Sequence, residues 1–316
     1  MTIGLFAHYF IIAMFIVVTC IGVAVAQYKI YYGSLSAINI QPAAKSDIMK
    51  TSLLCATIAE TAAILSLIMA FFLLSKKDIS SNSFIAELGI FAAVSLTGFF
   101  SSYFSSNLCA AGLISITRQP FLAKQISNIT VIMQSLMQTP LIFGFIIALV
   151  IQSLDYKIFE SKESAIVCLA AGLAISLGSL GPLLGSREFS FSVCESIGFN
   201  RHALTKITSF SVLSQAIIET PIIFSAILSF WIIGFIQDSH DIYKAYIFLL
   251  VALLLFVGNL GPGYNSGKIA SSACKQIAIN PHIYSSLSKT SMLAQGIIDT
   301  SAIYCFVISM CLIIFR

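Results

Sequence analysis

Charge is what this chain has least of. Only 9% of its 316 residues are Asp, Glu, Lys or Arg, and the mean hydropathy is +0.96. A soluble domain of that length needs far more polar surface, which excludes a water-exposed globular enzyme. Metal and redox patterns are missing as well. The eight cysteines (Cys20, Cys55, Cys109, Cys168, Cys194, Cys274, Cys305 and Cys311) fall inside apolar runs without C-x-x-C spacing. The histidines, His8, His202, His240 and His282, sit near segment ends and form no cluster. Neither a metal site nor a disulfide framework is expected, and the thiols read as small packing residues. No stretch offers a nucleic-acid surface. The first apolar run has no basic flank before it and is too long for a signal peptide, so it is expected to stay as a helix.

What the chain has in abundance is apolar runs: eight, at about 5–36, 50–75, 83–115, 126–153, 164–197, 207–237, 243–278 and 290–315. Each is long enough to cross a bilayer as a helix. The expected fold class is an all-α membrane protein with eight transmembrane helices, arranged as four tandem helical hairpins. Their boundaries are read at 1–79, 80–159, 160–240 and 241–316. The links near 76–82, 154–163 and 237–243 are short and polar and read as surface turns, with Asp155, Lys157, Glu160, Lys162 and Glu163 forming one of them.

The hairpins repeat one another. Gly178-Ser-Leu-Gly181-Pro182 recurs 80 residues on as Gly258-Asn-Leu-Gly261-Pro262, and Gln138-Thr139-Pro140 recurs 81 residues on as Glu219-Thr220-Pro221. The first helix of each hairpin is rich in small residues, which lets helices approach closely in lipid. Gly172, Gly178, Gly181 and Gly185 serve the third unit, and Gly258, Gly261, Gly263 and Gly267 the fourth. Ser101, Ser102, Ser105 and Ser106 take that place in the second unit, and Gly22, Ala24, Ala26 and Gly33 in the first.

The second helix of each hairpin carries one polar residue in mid-span: Glu60, Gln138, Glu219 and Asp299, spaced 78, 81 and 80 apart. Each lies 18 residues after a loop landmark, Pro42, Pro120, Arg201 or Pro281, and each is followed by a threonine, Thr61, Thr139, Thr220 or Thr300. An ionisable group in hydrocarbon is costly and by default marks a functional site. Low dielectric favours the neutral form of a carboxyl, so such a group can face lipid loaded with a proton and release it on meeting a cation or water. That is ion exchange without covalent chemistry, and no catalytic residue is expected. The outer segments 51–75, 126–153, 207–237 and 290–315 hold no Lys or Arg. A mid-membrane cation against these acids must therefore come from another subunit. Gln134, Gln215 and Gln295, four residues before their sites, lie on the same helix face and read equally as a polar path or as ties to neighbouring helices. Pro140 and Pro221 are expected to bend their helices just past the site.

Eleven of the 17 basic residues lie in or beside the four loops, against three acids, Asp47, Glu188 and Glu195. The other side has six bases (Lys76, Lys77, Lys157, Lys162, Lys244 and Arg316) and seven acids. The positive-inside rule then puts the loops in the cytoplasm and both termini opposite.

The run Ala171-Gly172-Leu-Ala through Leu180-Gly181-Pro182-Leu-Leu-Gly185, the Arg118-Gln119-Pro120 loop and the carboxylate 18 residues beyond a loop resemble the c subunit of F-type ATP synthases. That family is related to the V-type rotor proteolipids, and here four hairpins would be fused, with 170–201 and 256–316 the most similar stretches. The resemblance implies a closed ring of further copies, glycine-rich helices inside and carboxylate helices outside, in an energy-transducing membrane such as a bacterial inner or organelle membrane. It implies Glu60, Glu219 and Asp299 as ion carriers, a stator subunit whose arginine unloads them, and a central stalk of the ATPase head meeting the loops. The loop residues concerned are Gln41, Pro42, Arg118, Gln119, Pro120, Asn280 and Pro281; Ile40, Phe199 and Ile279 stand where Arg118 does in the second loop. Gln138, an amide, carries no transferable proton and leaves three exchangeable sites per four hairpins.

The transported ion stays open between proton and sodium, with no other cofactor expected. Sodium takes several oxygen ligands, a proton one carboxylate and one acceptor. Similarity to sodium-binding hairpins gives an inner-helix glutamine a ligand role. Gln27 holds that place beside Glu60, whereas Ser105, Ser186 and Ser266 hold it elsewhere. The threonines favour sodium and the three absent glutamines favour protons, which are the leading expectation. One rival remains, a transporter or structural proteolipid with static salt bridges. The acid-bearing units carry a base near the inner position, Lys29, Arg187 or Lys268, where the glutamine unit has Asn107.

Overall fold

The computed structural model describes residues 2–76, 82–154, 158, 161–236 and 241–315. Asp155, Lys157 and Glu160 of the expected surface turn lie outside the described residues, as do Lys77, His240 and Arg316. So do the expected boundaries at 79/80 and 159/160.

The described residues are helical, without a strand. Twelve α-helices make up eight membrane-length spans: α1 (Thr2–Ile40), α2 (Lys45–Leu74), α3 (Ser83–Phe91) with α4 (Thr97–Arg118), α5 (Ala123–Leu136) with α6 (Thr139–Ser153), α7 (Lys162–Gly178) with α8 (Leu180–Phe199), α9 (Leu204–Ile218) with α10 (Thr220–Gly234), α11 (Ile242–Ile279) and α12 (Tyr284–Ile314). This is an integral, multi-pass membrane protein.

The four polar loops are one device used four times. Gln41, Gln119, Asn200 and Asn280 leave the helical region of backbone space, and a single 3₁₀ turn comes next, at Pro42–Ala44, Pro120–Leu122, Arg201–Ala203 and Pro281–Ile283. Proline causes this in three loops by disfavouring the helical backbone in the residue before it. In the third, where Arg201 stands, Asn200 Oδ1 accepts from the His202 N–H at 2.9 Å and holds the same turn.

Other prolines split spans. Pro140 and Pro221 interrupt their helices at Met137–Gln138 and at Glu219. The expected bend past the site is therefore a break at the site, because proline frees the carbonyl four residues before it. Pro182 divides α7 from α8 at Ser179, while α11 carries Pro262 unbroken. A π-helical turn at Ala92–Leu96 joins α3 to α4, a widening that no residue pattern announced.

The spans stand in two curved rows. In the inner row α1 packs on α4, α4 on α8 and α8 on α11, with α3–α7 and α7–α11 contacts on the terminal side. In the outer row α2, α5–α6, α9–α10 and α12 succeed one another. Glycine sets the inner spacing where backbones touch: Gly172 abuts the Gly89 carbonyl, Gly185 the Gly263 carbonyl, and Gly267 the Gly185 backbone. Gly261, expected among these packing residues, faces open space. The rows do not close, since α11 does not pack back on α1. The most apolar stretch of the fifth span is 72% buried, that of the last only 22%. The molecule is an open arc with two bare edges.

Candidate functional site

The mid-span polar residues all lie on the outer row; of the inner-row residues expected beside them, Ser186 is reached through Gln215, one turn before Glu219, and Gln138 meets Ser101 instead of Ser105. Glu219 is the most completely built. It is 8% exposed, at the break where Pro221 has stopped α9. Gln215, one turn earlier, donates from Nε2 to Glu219 Oε1 (2.7 Å) and to Ser186 Oγ on the inner row (2.8 Å). Across the hairpin boundary, Thr139 Oγ1 lies 3.2 Å from Glu219 Oε2. The same hydroxyl lies 2.5 Å from the Leu136 carbonyl, the one that Pro140 deprives of its helical N–H. One hydroxyl proton cannot serve both. With Thr139 donating to Leu136, its oxygen is free to accept from a protonated Glu219.

That contact fixes a direction around the arc: Glu219 faces the preceding hairpin, whose Thr139 stands beside it. Gln138 repeats the arrangement. It is 5% exposed, accepts from Ser101 Oγ at 2.9 Å, and shares with Thr61 a mostly apolar cavity of about 440 Å³ between α2 and the α5–α6 span. Among the described residues its Nε2 has no partner. Asp299 is 5% exposed on α12, which packs on α9 and α10, and among the described residues its Oδ1 also lacks a partner, as does Ser266 Oγ. Glu60 and Thr61 are exposed, because the first hairpin has no predecessor within the chain.

The supporting residues divide. Thr139, Ser186 and Gln138 sit in these networks. Thr61, Thr220 and Thr300 spend their hydroxyls on carbonyls of their own helices. Gln27 makes no hydrogen bond to Glu60 among the described residues. Gln134 and Gln295 tie helices together instead of touching an acid: Gln134 donates to the Cys55 carbonyl (2.8 Å) and Gln295 to Ser214 Oγ (3.3 Å) and Ser291 Oγ (3.0 Å). Tyr304, near Asp299 in sequence, is 68% exposed.

No base pairs with a site acid among the described residues. Lys29 Nζ sits 3.8 Å from the centre of the Tyr103 ring, Lys268 Nζ 4.5 Å from that of Tyr264. Arg187 donates from Nε and Nη2 to the Asn107 amide oxygen, at 3.0 Å for Nη2.

Among the described residues a buried histidine–carboxyl contact forms elsewhere. His8 Nδ1 meets Glu87 Oε1 at 2.8 Å, both side chains at most 3% exposed. His8 reads in the sequence as patternless; its 79-residue separation from Glu87, one repeat length, was the available signal. Lys76 stands near Glu87, just beyond the second span. Burial lowers its ammonium below the usual lysine range, with the Glu87 charge opposing.

At the loop end, the second hairpin is tied to the third and the third to the fourth. Gln119 Nε2 donates to the Gly198 carbonyl (3.4 Å), Asn200 Nδ2 to Ala278 (2.8 Å) and Lys206 Nζ to Pro281 (2.8 Å). Asn280 Oδ1 accepts from the His282 N–H. Phe121 is 96% exposed beside Arg118 and Pro120.

Paired apolar spans, a tight 3₁₀ loop and a buried mid-span carboxyl define a proteolipid assembled from helical hairpins. The family model for the ATP synthase C subunit matches twice, at residues 88–151 and 249–312, the second and fourth hairpins. The 170–201 stretch lies outside both matches. The ATP synthase c subunit 2 of Cereibacter sphaeroides is 36% identical over 62 residues, which is 20% of this chain and 75% of that protein. The ATP synthase c subunit of Mycoplasma capricolum subsp. capricolum is 40% identical over 60 residues, 19% of this chain and 59% of that one. The chain belongs to the ATP synthase c-subunit family.

Proposed function

We propose that this chain is a rotor-ring subunit of an ion-translocating rotary ATP synthase or ATPase. Its hairpins form part of a ring completed by further copies, and Glu60, Glu219 and Asp299 are the ion carriers. The observation that carries this reading is Glu219, buried in mid-span and clasped across a hairpin boundary by Thr139. Such a site is made at a contact between hairpins, and a chain with two bare edges leaves one such contact to be made with a neighbour. In a ring, Thr300 of a neighbouring copy takes the place beside Glu60 that Thr139 takes beside Glu219.

Protons are the proposed ion. Around Glu219 the chain presents one amide N–H and one hydroxyl able to accept, which suits a protonated carboxyl; sodium takes several oxygens. A stator arginine from another subunit would draw the proton off, the loops would meet the stalk on the cytoplasmic side, and Gln138 is a silent station. Three carriers per four hairpins would move fewer ions per turn and demand a larger ion-motive force for synthesis.

The test is ATP-driven ion pumping by the assembled enzyme in inverted membranes. Glu219→Gln is expected to abolish pumping, and Gln138→Leu to leave most of it. Normal pumping by the Glu219→Gln enzyme would reject the assignment.

A further inference from the structure

Asn259 stands in the middle of α11, where the third hairpin has Ser179, and it is fully buried. Its Nδ2 lies 3.1 Å from the Gly178 carbonyl, 3.2 Å from the Pro221 carbonyl and 3.0 Å from Ser225 Oγ. All three belong to the third hairpin. Carbonyls only accept, so the amide nitrogen must face them. Ser225 Oγ donates to the Pro221 carbonyl at 3.0 Å, which leaves its oxygen free to accept. Asn259 Oδ1 has no partner among the described residues. A buried acceptor left unsatisfied carries a cost that an apolar side chain of similar size avoids. What the position uses is therefore the donor.

Its acceptors mark two proline breaks. Pro182 has no N–H for the Gly178 carbonyl, and Asn259 supplies the donor the helix lacks. Gly178 makes room for this, since a Cβ there would collide with Ser225 Oγ. Pro221 and Ser225 lie in the first two turns of α10, just past Glu219, where α9 stops. Across a break the helical ladder no longer fixes one segment against the next, and side chains must do so. Before the break, Gln215 ties the end of α9 to Ser186 on α8 at 2.8 Å. After it, Asn259 ties the start of α10 to α11. Glu219 lies between the two ties, with its carboxyl beside Thr139. Among the described residues the other stations lack the second tie. Next to the break at Gln138, the place of Asn259 is taken by Ser179, whose hydroxyl donates to the Ser176 carbonyl of its own span at 2.9 Å. Asp299 sits on α12, which is unbroken.

We propose that Asn259 is a positioning residue for Glu219: through its amide the fourth hairpin holds the broken outer span of the third, so that the carboxyl keeps its place beside Thr139. Glu219 is then gripped from both flanks, by the second hairpin through a hydroxyl and by the fourth through the backbone just past the site. The station is set apart from Asp299 in reactivity as well as in sequence. The inference rests on Glu219 being an exchange site; the tie itself belongs to the single chain.

The test is the ratio of carbodiimide modification rates at Glu219 and Asp299, read by site-resolved mass spectrometry on the full chain in native membranes. Asn259→Leu keeps the size and removes the donor. It is expected to raise the ratio at least threefold, because a carboxyl released from its place reacts more freely, with the rate at Asp299 unchanged. Asn259→Ser, which restores one donor and is the residue the third hairpin carries, should fall between Asn259→Leu and wild type. It decides the matter alone where Asn259→Leu does not assemble. Ser192→Ala/Ser271→Ala removes a 2.6 Å hydroxyl contact between the same two hairpins nearer the loops, and should leave the ratio as it is. A ratio that does not rise in the Asn259 variants, or that rises as much in the serine pair, overturns the proposal and leaves Glu219 as an exchange site. No modification of Glu219 in the wild-type chain overturns the exchange reading and this inference with it.

Discussion

At the scale of single residues, two buried carboxyl environments behave differently. Glu219 has donors arranged for exchange: an amide on one oxygen and a hydroxyl on the other that can reverse its role. Thr139→Val keeps the shape and removes the hydroxyl. It is expected to change the rate of carbodiimide modification at Glu219 while leaving Asp299 unchanged, as site-resolved mass spectrometry would report. Glu87 instead pairs with His8 inside the protein and reads as structural. Removing one partner of a buried hydrogen bond leaves the other unsatisfied and costs about 1–3 kcal/mol, whereas replacing both with apolar residues is often near neutral. Thermal unfolding in detergent should therefore show Glu87→Ala strongly destabilised and His8→Leu/Glu87→Leu close to wild type. Equal losses in the two variants would argue against a mutual pair.

At the scale of elements, packing of the inner row is governed by where a Cβ would land. Gly185→Ala and Gly267→Ala place a methyl against backbone of the adjoining span and should loosen the third hairpin from the fourth. Gly261→Ala, with nothing within 4 Å in its own chain, should leave packing between the third and fourth hairpins unchanged. The eight spans and four loops were legible in the sequence because a helix needs a long apolar run to cross a bilayer and proline disfavours helix in the residue before it. The breaks at Gln138 and Glu219 fall a few residues earlier than the sequence suggests, since proline acts on the carbonyl four residues back and not on the residues after it. Glycine spacing on one helix does not say which glycine meets a neighbour within the chain: Gly181 abuts the Asn259–Leu260 backbone of the fourth hairpin, whereas its repeat equivalent Gly261 lies at a bare edge. The His8–Glu87 pair, the π turn and the cross-hairpin hydroxyl at Glu219 depend on contacts one repeat apart. Those become visible only when the hairpins stand side by side.

At the scale of the whole molecule, the arc explains the unequal sites. Gln138, Glu219 and Asp299 each face a preceding hairpin and are at most 8% exposed, while Glu60 faces a bare edge. Closure by further copies should bury Glu60 and give an assembly mass in whole multiples of 34.1 kDa, with hairpins in multiples of four if no other chain joins. Across that seam, Thr300→Val should alter modification of Glu60 more than that of Asp299 on its own helix. An effect on Asp299 alone would contradict the direction read from Thr139 and Glu219.

On the proposed function, three of four stations exchange an ion from within the membrane. Its most direct test is site-resolved carbodiimide labelling of the assembly in native membranes, across pH and with or without sodium. Label is expected on Glu60, Glu219 and Asp299, faster as pH falls, unprotected by sodium and absent from residue 138. Protection by sodium would replace the proton with sodium in the same sites. No label on any of the three, under conditions that modify exposed loop acids such as Asp47, would contradict the exchange mechanism itself.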